Sequence, residues 1–418
     1  MNEDYEIKLG KIDDRKVLDL LNETRDSWGD FEIFKWIFKT KPDVNKEINF
    51  FAVNDKKKYI GFERASYKEL IFPNNAIRSK NIIVGKCSSV PPDFQGKGVY
   101  SNLIKIRDNY LKDKHSYLFG FVRKSNITFL INRKNGWNYR VLPLYMLIRS
   151  PKNVIRKYAK FLFEKNRRLI FFEKFFGNRI NFIFSDGSVT LSKIFGNKSS
   201  KRLKLNIYIS NFAVKNIVEE LTGSLNIINF FKEILKLLFI GDISFYKNKN
   251  FKLKDYYYKK DFKIQIKDKL INEEIEEVIQ TYNYFNKKYD IVFRRREKDI
   301  KHLLSYPKIK DIIVIKKNEN IIGFSVIGKL KEENKNEIIV LDTIYKNTEV
   351  FKILIKEIEK LANIYEIDMV HMFSDILPSK KWSFVPETTV MWKSLNNDFE
   401  LNKIMNNGKL KISMYDVF

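Results

Sequence analysis

The stretch VPPDFQGKGVYSNL sets Gly96 and Gly98 two positions apart, beside Gln95 and Lys97, in a chain of 418 residues with only 16 glycines. Glycine carries no Cβ, so the backbone can turn sharply there and bring its N–H groups close to a ligand. A turn of this kind leading into a helix offers free N–H groups and the positive end of the helix dipole, which together suit a phosphate. Lys97 is placed to screen the same charge, although in a lysine-rich chain it also reads as plain surface. Other chemistries find less support. The lone cysteine, Cys87, excludes an intramolecular disulfide and a cysteine-rich zinc site, and His115, His302 and His371 are too scattered for a metal or a triad.

The elements around the loop alternate between strand and helix. An amphipathic helix spans Asp14 to Arg25, and the aromatic stretch FEIFKWIFKTKP predicts a second that stops at Pro42. NFFAVND and KKYIGFERASY predict two strands joined by a polar turn, and NIIVGKCSSV a third that runs straight into the glycines. In SNLIKIRDNYLKDK, apolar residues at Leu103, Ile104, Ile106, Tyr110 and Leu111 fit one helical stripe. SYLFGFV then reads as a strand, and NITFLINRKNGW as a helix ending at Gly136.

Three landmarks recur in the same order further along. KKYIGFERASY has a counterpart in NIIGFSVIGK, the aromatic helix in KDIKHLLSYP, and GWNYRVLPLYM in KWSFVPETTVMW. The second copy carries no glycine loop: EIIVLD passes into TIYKNTEVFKILIKEIEKL without one. A single phosphate site is expected. The organisation read from this is a first domain over 1–150, a basic aromatic-rich segment over 151–265, a second copy over 266–395 and a tail over 396–418. NVIRKYAKFLFEKNRRLIFFEKFF in the middle segment is either a helix packing its phenylalanines against a domain or a basic helix on a membrane surface.

A hydrophobic content of 44% fits a folded protein, and no apolar run reaches the roughly 18 residues of a membrane span. With the charged start MNEDYEIKLGKIDD, which lacks the apolar run of a secretory signal, this predicts a cytoplasmic protein. The net charge of +27 invites nucleic acid, but Lys, Asn, Ile, Phe and Tyr are abundant together as A/T-rich codons make them, and no nucleic-acid-binding motif accompanies the charge. An anionic substrate or cofactor is the more economical partner.

The run Val90-Pro91-Pro92, then Gln95-Gly96-Lys97-Gly98-Val99-Tyr100, followed by a helix, resembles the acyl-coenzyme A motif of the GNAT acyltransferase superfamily, Gln/Arg-x-x-Gly-x-Gly/Ala. Gln95 and Gly98 match its first two fixed positions, while Tyr100 stands where Gly or Ala is usual. The resemblance extends to SNITFLINRKNGW, where Asn126 matches a coenzyme-contacting Asn, and covers residues 1–150. It implies an α/β (α+β) protein of two GNAT-like mixed-sheet domains in tandem, the second degenerate, with an inserted segment between them. It further implies acetyl-coenzyme A or another acyl-coenzyme A as co-substrate, no metal, and transfer of the acyl group to a primary amine in a ternary complex. On this reading the backbone from Gln95 to Tyr100 wraps the pyrophosphate, and Ser89 and Val90 present the N–H that polarises the thioester carbonyl.

The usual acid is a Tyr on the helix after the motif Asn. That position falls near Asn132 or Arg133, so Tyr139, Tyr145 or water must substitute. Glu63 is a candidate base on a central strand, or a strand residue paired with Arg64 or a lysine. Cys87 is a structural thiol before it is an acyl carrier. Some tandem aminoglycoside acetyltransferases use their own C-terminal carboxylate as base, which would here be that of Phe418, near Asp416. Amino sugars of polysaccharide precursors, anionic or not, are among the acceptors such a layout implies. A coenzyme-binding protein without chemistry and an aminoacyl-transfer protein that uses the basic surface are the alternatives.

Overall fold

The computed structural model describes residues 5–25, 31–42, 47–74, 79–112, 117–124, 126–149, 262–329, 336–379, 381–385, 388–395 and 399–417, with short strands at 180–185, 188–193, 204–208 and 256–258. The sequence 153–176, His115 and Phe418 lie outside the described residues. The chain is an α/β protein built on two mixed sheets in tandem.

The first half runs β1 (Tyr5–Leu9), α1 (Asp14–Arg25), α2 (Phe31–Phe38), β2 (Ile48–Asn54), β3 (Tyr59–Ile71), β4 (Ser79–Ser89), α3 (Val99–Leu111), β5 (Tyr117–Arg123), α4 (Ile127–Lys134), β6 (Asn138–Val141) and β7 (Leu144–Ile148). Three strands, β8 (Ile180–Ser185), β9 (Ser188–Lys193) and β10 (Lys204–Tyr208), form a small antiparallel sheet. The second half continues with β11 (Tyr256–Tyr258), β12 (Phe262–Lys267), α5 (Asn272–Phe285), β13 (Ile291–Phe293), α6 (Glu297–Leu304), β14 (Ile309–Lys317), β15 (Asn320–Lys329), β16 (Glu337–Tyr345), α7 (Thr348–Ile364), β17 (Met369–Phe373), β18 (Trp382–Val385), β19 (Thr388–Ser394), α8 (Phe399–Asn407), β20 (Leu410–Lys411) and α9 (Met414–Val417). No helix among the described residues is long and apolar enough to cross a membrane.

The strands follow one order twice: β1-β2-β3-β4-β5-β19-β6 in the first sheet and β11-β12-β14-β15-β16-β17-β7-β18 in the second. The sheets exchange strands: the second takes β7 from the first half, and the first takes β13, β19 and β20 from the second. β7 lies between β17 and β18, and β19 lies between β5 and β6. At Leu142-Pro143 the chain leaves the first sheet, because proline cannot donate to the ladder it would otherwise continue. The repeated Gly-Phe pair has a packing cause. A Cβ on Gly61 would lie 2.8 Å from Val99 and Leu103 of α3, and one on Gly323 would lie 2.5 Å from Val350 of α7. In both halves the glycine lets the helix that follows the central strand settle onto the sheet.

Two elements differ from the sequence reading. β1 precedes α1, held as an edge strand against β2 although only alternate residues are apolar. The buried stripe of α3 is Val99, Leu103, Ile104, Arg107 and Leu111, while Tyr110 is exposed. The stripe is turned because Arg107 finds a buried partner across the sheet.

One apolar cluster joins the halves, with Leu20, Phe34, Trp36 and Phe62 from the first packed with Ile275, Leu303 and Phe324 from the second. His302 sits inside it. Its Nε2–H donates to the Trp36 carbonyl at 2.9 Å, Nδ1 accepts from the Tyr415 hydroxyl at 3.1 Å, and its ring stacks on Trp36 at 4.6 Å. Burial lowers its pKa from 6.5 to about 4, with Lys41 and Lys68 adding to the effect. A proton therefore binds the unfolded chain more readily. The stabilisation is complete above pH 6.5 and is lost as pH falls toward about 4. The expected loss is about 3 kcal/mol across that window, at roughly 1.36 kcal/mol per pH unit. Chemical denaturation at pH 7 and pH 4 checks it, and a His302→Gln chain should lose less stability over the same interval.

Candidate functional site

The central strands of the first sheet part where the glycine loop begins. β4 pairs in parallel with β5 only from Ile83–Leu118 to Gly85–Gly120, yet β4 runs on to Ser89. Cys87, at φ 56°, makes a bulge there: Arg64 faces Lys86, but Phe62 faces Ser89. A bulge bends its strand and increases the twist, which carries the end of β4 away from β5. Gly85, Cys87 and Ser88 are half-exposed in the middle of the sheet, so a cleft opens at this point.

From Val90 the chain makes a short turn through Pro92–Phe94 and enters the loop. Gln95 donates its side-chain N–H to the Val90 carbonyl at 3.0 Å, fastening the loop to the end of β4. Gly96 and Gly98 adopt φ of 78° and 80°, the left-handed region that favours glycine. Gly98 is the N-cap of α3, whose first helical bond runs from Asn102 N–H to the Gly98 carbonyl at 3.0 Å. The N–H groups of the first turn thus have no acceptor within the helix, and Gly98 has no side chain to supply one. The corresponding helix of the second half is closed: the Asn347 side chain accepts from Val350 N–H at 3.0 Å. Beside the loop lies a pocket of about 620 Å³ with Ile7, Ile60 and Phe94 in its wall and Lys97 and Lys105 among its polar groups.

Beneath the loop is a closed polar chain. Glu63 is fully buried, accepting from Arg107 at 2.6 Å and from the Ser88 hydroxyl. Arg107 also donates to Asp108 at 2.7 Å, and Lys393 of β19 reaches Asp108 at 3.2 Å. A Cβ on Gly85 would lie 2.8 Å from the Glu63 carboxylate, so the glycine makes room for the pair. Burial pushes the Glu63 carboxyl above its ordinary value, against the pull of Arg107 and Ser88. Burial is the largest influence on Arg107 and opposes its charge, but Glu63, Asp108 and Tyr100 together outweigh it and hold the guanidinium above its usual range. The Tyr100 phenol lies within hydrogen-bond reach of the Ser88 and Thr128 side chains, its pKa raised by burial and then by Glu63.

The structure therefore brings Glu63, Ser89, Val90 and residues 95–100 together. Ser89 is buried with its hydroxyl unpaired in the fold, and Val99 is buried against Gly61. The Lys97 ammonium lies 5.0 Å from the centre of the Phe94 ring. Asn126 is the N-cap of α4, its side chain accepting from Thr128 N–H at 2.9 Å. Tyr139 stands two strands from the cleft, on β6, packed on Phe129 and Arg133. Tyr145 lies on β7 in the other sheet beside Phe384, its pKa raised by burial and by Asp375. His371 pairs with Glu337 at 3.0 Å, far along the chain from the loop. Sequence reading missed Ser88, Arg107 and the Tyr100 hydroxyl. Arg107 had a signal: it is charged at the fourth-residue spacing of Val99, Leu103 and Leu111, a line that must be buried.

No family model matches the sequence, and no curated protein matches it. Among solved structures, a protein of unknown function from Enterococcus faecalis V583, described as a probable N-acyltransferase, is 9% identical over 94% of this chain and 73% of its own, with a TM-score of 0.49. A GCN5-related N-acetyltransferase from Kribbella flavida is 10% identical over 93% of this chain and 71% of its own, with a TM-score of 0.47. The N-myristoyltransferase of Saccharomyces cerevisiae, solved with bound myristoyl-CoA and inhibitors, is 11% identical over 92% of this chain and 80% of its own, with a TM-score of 0.49.

Proposed function

We propose that the chain transfers a short acyl group, acetyl in the simplest case, from acyl-coenzyme A to a primary amine such as that of an amino sugar. The observation that carries this reading is the uncapped first turn of α3, opened by two left-handed glycines and set beside the parting of β4 and β5. The pyrophosphate would accept from the free N–H groups of that turn, the coenzyme arm would lie in the cleft, and the backbone at Ser89–Val90 would polarise the thioester carbonyl. The amine nitrogen attacks the carbonyl carbon, the C–S bond breaks, and the ammonium proton leaves through water. Tyr100, beside Ser88 and Thr128 at the cleft, would be the proton donor for the departing thiolate, its raised pKa keeping the phenol protonated but making it a weak acid. Glu63 is shut from solvent and touches the cleft only through Ser88, so it acts as a relay behind that hydroxyl.

One observation favours a second reading. Tyr100 replaces the small residue of the motif, and its phenol reaches Ser88 of β4 and Thr128 of α4 across the cleft. A phenol fixed there would exclude the coenzyme arm and leave a fold without its chemistry. Calorimetric titration of acetyl-coenzyme A into the wild type and Tyr100→Ala, followed by thiol release with a panel of amines, separates the two. Wild-type binding with turnover supports transfer. Binding by Tyr100→Ala alone supports the bridged cleft, and binding by neither overturns both.

A further inference from the structure

On the face of the first sheet opposite α3, three lysines come together, two of them buried. Lys41, in the turn after α2, is 5% exposed, and Lys86, the last residue before the bulge, is 6% exposed. Lys68 of β3 is half-buried, its ammonium 5.2 Å from the centre of the Tyr415 ring. Lys86 stands directly across from Arg64, and Lys68 lies four residues along the same strand, so all three side chains share the face that packs on α2.

The neighbouring charges do not balance them. Arg64 is paired with Glu47. Arg295 holds Asp342 at 3.0 Å and Asp416 at 2.7 Å. Among the described residues, Asp416 acts on Lys41, Lys68 and Lys86 alike, and Arg295 already bonds it; Asp299 also acts on Lys68. No carboxylate or carbonyl accepts from the buried Lys86 ammonium among the described residues; the group beside it is the Lys41 amine, whose own charge burial and Lys86 both oppose. Among the described residues the group therefore carries an excess of positive charge when all three are protonated. An unpaired buried cation is costly. Burial first, then mutual repulsion, hold Lys41 well below its ordinary pKa and Lys86 at about 7, so an incoming anion would recharge the group. Cys87, next to Lys86, is half-exposed at the cleft and packs against the same apolar cluster as α2.

We propose that Lys41, Lys68 and Lys86 form a site for a doubly charged oxyanion of the phosphate class, and that the acceptor amine carries this group and is held by it beside the cleft. A tetrahedral oxyanion offers separate oxygens to three ammonium donors, each acting as a point charge. The acceptor half of the inference rests on the acyl-transfer reading; the anion site does not.

The test uses inorganic phosphate, titrated by calorimetry without coenzyme into the full chain carrying Gly98→Trp, so that the loop contributes nothing, against sodium chloride of equal ionic strength. One phosphate per chain is expected, weakened at least tenfold when Lys86→Met is added. Lys41→Met provides a second measure should the first variant fold poorly. Loss of binding in either variant supports the site. Absence of phosphate binding, or equal affinity in both lysine variants, overturns it. Phosphate binding of the expected kind in a wild type that takes no acetyl-coenzyme A leaves the anion site standing and removes the transfer reading.

Discussion

Replacing Arg107 by Met is expected to destabilise the folded chain by about 3–5 kcal/mol. Arg107 and Glu63 have side chains 4% and 0% exposed and meet at 2.6 Å, so the loss of the guanidinium strands a carboxylate in the interior. The remaining hydrogen bond to Glu63 among the described residues is the one that Ser88 donates. Glu63 would then take up a proton, its pKa moving further above the ordinary value. Because the folded state would bind the proton more tightly than the unfolded one, the variant should lose stability as pH rises from acid toward neutrality. Urea unfolding at pH 5 and pH 8 measures both effects. Glu63→Met combined with Arg107→Met removes charge from both partners and should recover most of the loss, as apolar replacement of buried pairs often does. A single variant that costs under about 1 kcal/mol, the scale of a surface pair, would show that the two groups are hydrated.

Gly98→Trp is expected to separate binding from stability. No atom lies within 4 Å of a Cβ built on Gly98, so the new side chain leaves the backbone into open space at the loop. The cost to folding is the left-handed φ of 80°, about 1–2 kcal/mol for a residue with a Cβ. The cost to ligand binding is larger. A bulky group over the first turn of α3 blocks the N–H groups proposed to hold the pyrophosphate. Losing two hydrogen bonds to a charged ligand, at about 1.5–3 kcal/mol each, lowers affinity by at least about a hundredfold. Calorimetry with acetyl-coenzyme A on the wild type and the variant, with thermal unfolding of both, reads the two quantities. Unchanged affinity would place the coenzyme elsewhere.

The two expectations concern the glycine loop and the charge pair beneath it, and they were not equally legible. The left-handed turns at Gly96 and Gly98 follow from local rules, since glycines two apart before an amphipathic run leave few conformations. The same rules draw α1, the β2–β3 pair and the start of α3, because each carries its own apolar period. The Gly61 and Gly323 repeat was visible as well, and its packing against Val99 and Val350 gives it a cause. Arg107 was half-legible. It stands on the buried line of α3, which demands a counter-charge, but nothing in the chain says that Glu63, 44 residues earlier, supplies it.

The chain by itself determined the local pieces: strand, glycine turn and helix in the first half, the repeated order in the second, and a second helix start with no glycine. Asn347 there closes its own helix with a side chain three residues from its partner, a local contact. Only the tertiary structure decided how the pieces share work. It parted β4 from β5 at the Cys87 bulge, passed β7 and β19 into each other's sheets, set Tyr139 and Tyr145 away from the loop and Tyr100 toward the cleft, and gathered two buried lysines and a half-buried one near Asp416. These are long-range contacts between segments whose own periodicity is satisfied in many arrangements. Period and capping act within a few residues, whereas strand exchange and buried charge pairing depend on which surfaces meet.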